Sequence, residues 1–371
     1  MDNLTMESLF SFVLALAVAF ALTPAVKMLA IRIKAVDVPR DGRRMHKEPV
    51  PRAGGLAIFA GFLAGVLCFG SLSGQMKAIL LGALLLVALG MVDDVVSLKP
   101  TIKFAGQIVA ALIPVLSGVV VERFTNPFSP SGYLHLGVLS IPVTVIWIVG
   151  ITNAVNFIDG LDGLACGVSA IATVTMFVIA VMYSEGSIAL MMAALAGACI
   201  GFLPYNMNPA KIFMGDTGSM FLGYILAVTS IQGLFKFYAV ISFAVPFIIL
   251  GLPIFDTAFA ILRRLLHGQS PLQADRGHVH HRLIDLGFDQ KQSVAILYAF
   301  SAVMGLMAVL LARTKEAKLI ILAVAVLVCF FLAMTLMTVE KNHRKEEQAA
   351  LERICEERER EAEQAGKKEE Q

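Results

Sequence analysis

The chain has 371 residues, of which 57% are hydrophobic and 16% are charged, and its mean hydropathy is +0.77. A soluble domain carries about 25% charged residues, so this composition excludes an ordinary soluble protein and predicts an all-α polytopic membrane protein. The net charge of +2 identifies no partner, and we expect no nucleic-acid binding. The five cysteines lack CxxC or other metal spacing, so we expect neither a disulfide framework nor a zinc site.

Apolar runs of roughly 20 residues mark helices that can cross a bilayer, and eleven such runs follow one another along the chain. The first is too long for the core of a signal peptide and lacks an obvious cleavage site, so we expect a retained first span. The predicted spans are residues 7–31, 53–70, 75–92, 103–121, 138–155, 163–182, 187–204, 217–233, 238–262, 293–312 and 317–338.

The distribution of basic residues predicts the orientation of these spans. An odd number of spans places the termini on opposite sides of the membrane. The segments after spans one, three, seven and nine hold fifteen Lys and Arg residues, whereas the opposite segments hold six. Because basic residues favour the cytoplasmic side, we expect the N-terminus outside and the C-terminus in the cytoplasm.

The C-terminal segment differs sharply from the rest of the chain. Residues 340–371 carry many charges of both signs. Leu351, Ile354 and Cys355 are too few to form the apolar seam of a coiled coil, so a solvated tail is expected. The sequence therefore divides into a membrane domain, residues 1–339, and a charged cytoplasmic tail, residues 340–371.

The unusual polar residues gather in the segments that follow the odd-numbered spans, on the predicted cytoplasmic side. Acids, histidines and basic residues at one membrane face predict a site for a charged, water-soluble substrate beside an apolar neighbour. The segments are RDGRRMHKEPVPRAGG (40–55), the acid pair at 93–94, NAVNFIDGLDGLACG (153–167), NMNPAKIFMGDTGS (206–219) and DRGHVHHRLIDLG (275–287).

The acid-bearing segments each allow a structural and a functional interpretation. Asp93 and Asp94 either cap a helix end at the membrane interface, or a bound cation or a nearby lysine balances their negative charge. Asn153, Asn156, Asp159 and Asp162 recur at three-residue steps, which aligns them on one helical face, although they could instead cap the next helix.

The segments near Asp216 and the histidines are equally open. Asp216 lies between glycines at the start of the eighth span. It is either an N-cap or a ligand of a hard cation such as Mg²⁺. Phe213 is either a stacking face or a membrane anchor. His278, His280 and His281 lack a zinc context, and adjacent imidazoles should point in different directions. Phosphate binding beside basic residues is more plausible than zinc, with solvated loop histidines as the alternative.

Together these motifs resemble the polyprenyl-phosphate N-acetylhexosamine-1-phosphate transferase family. The family motifs occur in order over residues 40–290, as VPRAGG, the acid pair with a downstream lysine, NAVNFIDGLDGLA, NPAKIFMGDTGS and DRGHVHHRL. The muramoyl-pentapeptide branch usually carries GTPTMGG and three consecutive histidines. This chain has EPVPRAGG and RGHVHHRL instead, and so it resembles the bacterial branch that uses UDP-GlcNAc.

The resemblance implies a Mg²⁺-dependent phosphosugar transferase (EC 2.7.8 type), with Mn²⁺ as an alternative ion. UDP-GlcNAc and undecaprenyl phosphate would give undecaprenyl-diphosphate-GlcNAc and UMP, the first membrane step of a surface polymer such as teichoic acid or O-antigen. The enzyme would lie in the bacterial plasma membrane, with its active site on the cytoplasmic face. Homodimers are expected for some relatives, and this sequence carries no signal for one.

The resemblance also implies roles for individual residues. Asp216 matches the metal ligand, with Asn156 as a second ligand or a positioning amide. The catalytic acids would be Asp93, Asp94, Asp159 and Asp162, the first pair acting on the lipid phosphate and the second organising the nucleotide site. The substrate-binding residues would be Lys47, Lys103, Asn153, Asn156, Asn206, Phe213, His278, His280 and His281.

Three alternatives remain open at this point. Intramembrane acids often mark transport routes, but these acids lie at span ends, which disfavours a transporter. A phospho-N-acetylmuramoyl-pentapeptide transferase is the serious alternative within the family. The reaction itself could proceed by direct attack of the lipid phosphate or through a covalent aspartyl-phosphate.

Overall fold

The computed structural model describes residues 3–38, 48–125, 133–234, 244–266, 268, 277–313 and 323–328. Most of the described residues are helical, which confirms the all-α class. The helices are α1 (Asn3–Arg32), α2 (Gly55–Phe69), α3 (Gly74–Val96), α4 (Pro100–Leu116), α5 (Ser140–Phe157), α6 (Leu164–Met182), α7 (Gly186–Asn206), α8 (Gly215–Thr229), α9 (Ala244–Ile249), α10 (Gly251–Leu266), α11 (Val279–Asp285) and α12 (Gln290–Arg313).

Short non-helical elements connect these helices. A 3-10 turn, Gly137–Leu139, precedes α5, and a π-helical turn, Ser230–Leu234, extends α8. Two antiparallel strand pairs complete the described secondary structure: β1 (Val36–Asp37) with β2 (Val50–Pro51), and β3 (Arg123–Thr125) with β4 (Tyr133–His135).

The helices support a membrane protein, but they confirm only part of the predicted span set. Among the described residues, six helices are long and apolar enough to cross a bilayer, and α2 and α4 are shorter apolar helices. The first eight predicted spans coincide with α1 to α8, and the tenth coincides with α12. The ninth is divided between α9 and α10, and only residues 323–328 of the eleventh are described.

Small residues allow the helices to approach closely, as membrane helices require. A Cβ on Gly197 would lie 2.2 Å from the Phe12 carbonyl oxygen, and one on Gly201 would lie 2.4 Å from that of Leu16, so α7 packs directly on α1. The α8 helix occupies the interior of the bundle. Asp216 is the one residue of α8 that is not buried, which distinguishes it from the apolar side chains around it.

Two glycine-containing segments meet backbone to backbone at one end of α8. The Gly54 and Gly55 amides donate to the Phe213 and Met214 carbonyls at 2.9 Å each, and the Phe213 amide donates to the Pro51 carbonyl at 2.8 Å. A Cβ on Gly55 would lie 2.1 Å from the Gly218 nitrogen, so only glycine fits there. This contact brings the VPRAGG and GDTG segments together.

Candidate active site

The C-terminal ends of α3 and α5 meet the N-terminal ends of α4 and α8 at this same end of the bundle. Four carboxyl groups gather there, which we call the acidic cluster: Asp93, Asp94, Asp159 and Asp216. Two cationic side chains, Arg52 and Lys103, lie among them. The structure therefore brings together residues from four of the five polar segments recognised in the sequence.

Asp94 binds the beginning of α8. Its Oδ1 accepts a hydrogen bond from the Asp216 amide at 2.9 Å, and its Oδ2 accepts from the Thr217 amide at 3.1 Å and from the Thr217 hydroxyl at 2.6 Å. A carboxylate is stabilised at a helix N-terminus by the unpaired amides and the helix dipole. Asp94 thus caps α8 from another helix, and Asp216 is left free of that task.

Asp93 has different partners from its neighbour. Its Oδ1 accepts from the Leu98 amide at 2.7 Å, and its Oδ2 accepts from Lys103 Nζ at 3.1 Å. Lys103 Nζ also contacts Asp216 Oδ2, so one ammonium group bridges two carboxylates from distant parts of the chain. The acid pair therefore splits into a capping acid and an ion-paired acid.

The two asparagines of α5 serve different parts of the structure. Asn156 Nδ2 donates to Asp216 Oδ1 at 2.9 Å and to the Ser219 hydroxyl at 2.7 Å, which places Asn156 beside the predicted metal ligand. Asn153 Nδ2 donates to Gln107 Oε1 at 2.6 Å and to the Val149 carbonyl at 2.8 Å. Asn153 thus joins α5 to α4, about one helical turn before Asn156.

Asp159 lies half-buried in the turn that follows α5. Burial and the nearby carboxylate of Asp216 raise the pKa of Asp159 to about 7, although the Arg52 charge acts in the opposite direction. Within the described chain, no side-chain hydrogen bond holds this carboxyl. Asp159 is therefore more available to an incoming group than Asp93, Asp94 and Asp216, whose carboxylates already accept hydrogen bonds.

Asp162 anchors the segment between α7 and α8. Its Oδ2 accepts from Asn208 Nδ2 and from the Ala210 amide, both at 3.0 Å. Asn208 also donates to Gln290 Oε1 at 2.7 Å, which ties this segment to α12. A pocket of about 330 Å³ borders Asp162 and is lined mainly by residues of α12. Asp162 does not cap the next helix, because the N-cap position of α6 is Gly163 and no side chain forms a cap hydrogen bond there.

Asn206 and Phe213 flank the same segment. Asn206 is buried, and its Nδ2 donates to the Ile212 carbonyl at 3.1 Å, while its Oδ1 has no partner among the described residues. Phe213 is half-buried, and its backbone pairs with the segment before α2. Both residues thus shape the backbone that leads into Asp216.

His278 is held by an acid that the sequence motifs did not single out. Its Nδ1 lies 2.8 Å from Asp256 Oδ2 on α10, and the Val279 amide donates to Asp256 Oδ1 at 2.7 Å. Asp256 is only 2% exposed, so this pairing satisfies a buried carboxylate. The contact leaves Nε2 as the ring nitrogen of His278 that can meet another group.

The three histidines form a continuous row of rings, contrary to the expectation that adjacent imidazoles would diverge. The His278 and His280 rings are parallel to within 6°, and the His280 and His281 centroids are 4.3 Å apart. Burial and the neighbouring His281 lower the pKa of His280 to about 3, so His280 is neutral at physiological pH. His280 Nε2 packs on Gly160, beside Asp159.

Two of the predicted contributions lie outside the described residues. Lys47 belongs to residues 39–47, and Arg276, the basic neighbour of the histidines, belongs to residues 269–276. Arg282 is described, and its Nε donates to the Gly277 carbonyl at 3.1 Å.

The acidic cluster offers carboxylate oxygens, which are the ligands that a hard divalent cation prefers. Among the described residues, no group of three or more His, Cys, Asp and Glu side chains is arranged to hold a metal ion. Mg²⁺ does not need such a cage, because it binds through one or two carboxylates, water and substrate phosphates. Asp216 supplies a partly exposed carboxylate, and the acidic cluster holds four carboxyl groups against two cationic side chains. The residues present therefore fit a magnesium ion.

Comparison with known proteins places this geometry in a family. Residues 76–234 match the model of glycosyl transferase family 4, a range that includes every member of the acidic cluster. The chain is 42% identical over 312 residues to the probable undecaprenyl-phosphate N-acetylglucosaminyl 1-phosphate transferase of Bacillus subtilis (strain 168), covering 84% of this chain and 87% of that protein. The chain belongs to glycosyl transferase family 4. It is accordingly a membrane phosphosugar transferase.

Other members of glycosyl transferase family 4 distinguish its two bacterial branches. The decaprenyl-phosphate N-acetylglucosaminephosphotransferase of Mycolicibacterium smegmatis is 37% identical, covering 76% of each chain. The phospho-N-acetylmuramoyl-pentapeptide-transferase of Listeria monocytogenes is 35% identical, but the match covers only 60% of this chain. The similarity is thus more extensive to the N-acetylglucosamine branch, as the sequence motifs predicted.

Two residues of the site were missed by the sequence motifs. Arg52 entered only as a basic residue of VPRAGG, and Asp256 was hidden within an apolar span. A single acid in the ninth predicted span was a usable signal, since a buried carboxylate requires a partner. The role of Arg52 had no such signal, because its proximity to Asp94 and Asp216 depends on the contact between α2 and α8.

Proposed function

We propose that this chain transfers GlcNAc-1-phosphate from UDP-GlcNAc to undecaprenyl phosphate, giving undecaprenyl-diphosphate-GlcNAc and UMP. The observation that carries the proposal is the bridge that Lys103 forms between Asp93 and Asp216 at one end of an apolar bundle. A cationic side chain held between two acids suits a site that binds both negatively charged phosphate groups and a metal ion. The names of the relatives supply the substrates.

The transfer is a displacement at the sugar-linked phosphorus. A phosphate oxygen of the lipid attacks that phosphorus, and the bond to the UMP oxygen breaks. A phosphate monoester has a second pKa of about 6, so the lipid phosphate is mostly dianionic at pH 7 and needs orientation more than a strong base. Asp93 and Lys103 provide that orientation and the balancing charge. An aspartyl-phosphate intermediate is the other route, in which Asp93 attacks first.

The proposed cofactor is Mg²⁺, held by Asp216 with Asn156 as a second oxygen donor. When bound, such an ion acts as a Lewis acid that balances charge on the diphosphate oxygens. Asp94 keeps the Asp216 backbone fixed, and Asn156 Nδ2 orients the Asp216 carboxylate. Asp159 and the histidine row border the same space, where Asp162, Asn206 and Phe213 would shape the nucleotide site.

The proposed setting is the bacterial plasma membrane, with eleven spans over residues 1–339, the N-terminus outside and the tail 340–371 in the cytoplasm. The acidic cluster would then face the cytoplasm, where UDP-GlcNAc is present, and the lipid would reach it from between the helices. An accessibility tag at Ser184 should report the outside and a tag beyond Glu340 the cytoplasm. The reverse labelling would contradict this orientation.

A side-by-side donor assay tests the proposed substrate. Purified protein in detergent is supplied with undecaprenyl phosphate, Mg²⁺ and either UDP-GlcNAc or UDP-N-acetylmuramoyl-pentapeptide. We expect UMP release with UDP-GlcNAc as the donor and none with UDP-N-acetylmuramoyl-pentapeptide. Release with the muramoyl-pentapeptide donor alone would assign the chain to the other branch, and the same assay on the Listeria relative provides the matched control.

A further inference from the structure

Arg52 lies in the acidic cluster, and its backbone is firmly fixed. The Arg52 amide donates to the Ala35 carbonyl at 2.8 Å, and Ala53 adopts a left-handed conformation with φ of 77°. The next residue, Gly54, pairs with the Phe213 backbone. The side chain of Arg52 is therefore directed from a rigid segment into the cluster, 29% exposed.

The guanidinium of Arg52 is close to two carboxylates without being hydrogen-bonded to either. Its Nε lies 3.5 Å from Asp94 Oδ1, and its Nη2 lies 4.0 Å from Asp216 Oδ1. Both distances exceed the range of about 2.7 to 3.2 Å for an N–H···O hydrogen bond. The carboxylates therefore hold the charge in place without using its N–H donors.

The carboxylate oxygens nearest to Arg52 already accept from other groups. Asp94 accepts from the Asp216 amide and from Thr217, and Asp216 Oδ1 accepts from Asn156. Among the described residues, no side-chain hydrogen bond of Arg52 is formed. An arginine has five N–H donors in a planar fork, and the donors of Arg52 thus remain available to a ligand.

The geometry points to Arg52 as a phosphate-binding residue that takes phosphate oxygens of a substrate between its guanidinium nitrogens. A guanidinium fork matches two phosphate oxygens at once, which an ammonium group does not do. Lys103, by contrast, already contacts both Asp93 and Asp216. This assignment rests on the proposed function, since the phosphate belongs either to the nucleotide diphosphate or to the lipid phosphate.

Equilibrium binding to paired probes tests this assignment without turnover. The nucleotide pair is UDP and uridine, and the lipid pair is a short-chain polyprenyl phosphate and the corresponding polyprenol. Each pair differs only in its phosphate groups, so a phosphate contact affects one member alone. The variants are Arg52→Gln, Arg52→Lys and, as a matched control, Arg32→Gln, which removes an exposed charge at the end of α1.

For Arg52→Gln we expect binding of UDP, of the polyprenyl phosphate, or of both to weaken by about tenfold or more, which corresponds to about 1.4 kcal/mol. Arg52→Gln should bind uridine and polyprenol with the wild-type affinity, and Arg32→Gln should bind all four probes with the wild-type affinity. The weakened pair identifies the source of the phosphate. Arg52→Lys keeps the charge but not the fork, so its affinity should fall between wild type and Arg52→Gln.

Unchanged affinity of Arg52→Gln for both phosphate probes would overturn the assignment. Equal weakening of phosphate-bearing and phosphate-free probes would also overturn it, because that result indicates a structural role. If Arg52→Gln lowers the melting temperature strongly, the comparison is made with Arg52→Lys. A wild-type protein that does not turn over UDP-GlcNAc contradicts the proposed function, whereas an active wild type with unaffected variants contradicts only the role of Arg52.

Discussion

The Thr217 hydroxyl donates a hydrogen bond of 2.6 Å to Asp94 Oδ2, and both residues are buried. This contact joins the end of α3 to the beginning of α8. It fixes the backbone of Asp216, the residue that would hold the metal, at the point where the helix dipole is most positive.

Replacing Thr217 with valine should weaken this contact between α3 and α8. A hydrogen bond to a charged group contributes about 1.5 to 3 kcal/mol, so Thr217→Val should lower the free energy of unfolding by that amount. Turnover should fall as well, because Asp216 loses part of its support. Thr217→Ser keeps the hydroxyl and serves as the control. Thermal unfolding in detergent and UMP release measure both effects, and equal behaviour of the two variants would contradict the role of the hydroxyl.

The backbone contact between α2 and α8 leads to a second prediction. A Cβ on Gly55 would lie 2.1 Å from the Gly218 nitrogen, whereas a Cβ on Gly74 would meet nothing within 4 Å. Gly55→Ala should therefore displace Arg52 and Asp216 relative to each other and lower turnover by about 100-fold, the scale expected for a displacement of about 1 Å. Gly74→Ala should behave as wild type. Activity of Gly55→Ala close to that of Gly74→Ala would be the contrary result.

The buried pair of Asp256 and His278 supports a third prediction. Asp256→Asn removes the charge that orients the His278 ring, so turnover should fall, and the loss of a charged hydrogen bond should cost about 1.5 to 3 kcal/mol of stability. Asp285→Asn, on the exposed side of the adjacent α11, is the matched control. The kinetic constants for both substrates should be measured with the melting temperatures. Full activity of Asp256→Asn would show that His278 needs no orientation by Asp256.

The raised pKa of Asp159 gives a pH-dependent prediction. A carboxyl whose pKa is about 7 when folded and about 4 when unfolded binds more protons in the folded state. Stability therefore falls as the pH rises from about 4 to about 7, and above pH 7 the full loss is present. Asp159→Asn should raise the melting temperature at pH 8 by at least about 2 to 4 °C, the shift expected for about 1 kcal/mol. The difference between variant and wild type should shrink as the pH falls from about 7 towards about 4, and a pH-independent difference would contradict the assigned cause.

Much of the site could be predicted because membrane topology restricts where polar residues can lie. Asp93, Asn156 and Asp216 were placed on one membrane face from the order of the spans, and they meet in the structure. The spacing at three-residue steps was less informative. Asp162 leaves the helix and binds the Ala210 amide instead, because α5 ends at Phe157.

The remaining features depend on tertiary contacts that no local pattern encodes. The sequence left open whether Asp216 caps its own helix, and the structure assigns the cap to Asp94, which is 122 residues earlier in the chain. The division of the ninth predicted span between α9 and α10 was also not apparent, because the apolar run continues through Leu250. Hydropathy registers an apolar run and not an interruption of the helix within it.

The most direct test follows the β-phosphate of UDP-GlcNAc. Wild-type protein and Asp216→Asn are incubated with undecaprenyl phosphate, Mg²⁺ and UDP-GlcNAc labelled in that phosphate, and the lipid and aqueous phases are separated. The wild type is predicted to move the label into the lipid, with one UMP released for each labelled lipid, and Asp216→Asn is predicted to move almost none. A wild type that leaves the label in the aqueous phase, or an Asp216→Asn variant with near-normal transfer at saturating Mg²⁺, would contradict the proposed reaction or the role of Asp216 in it.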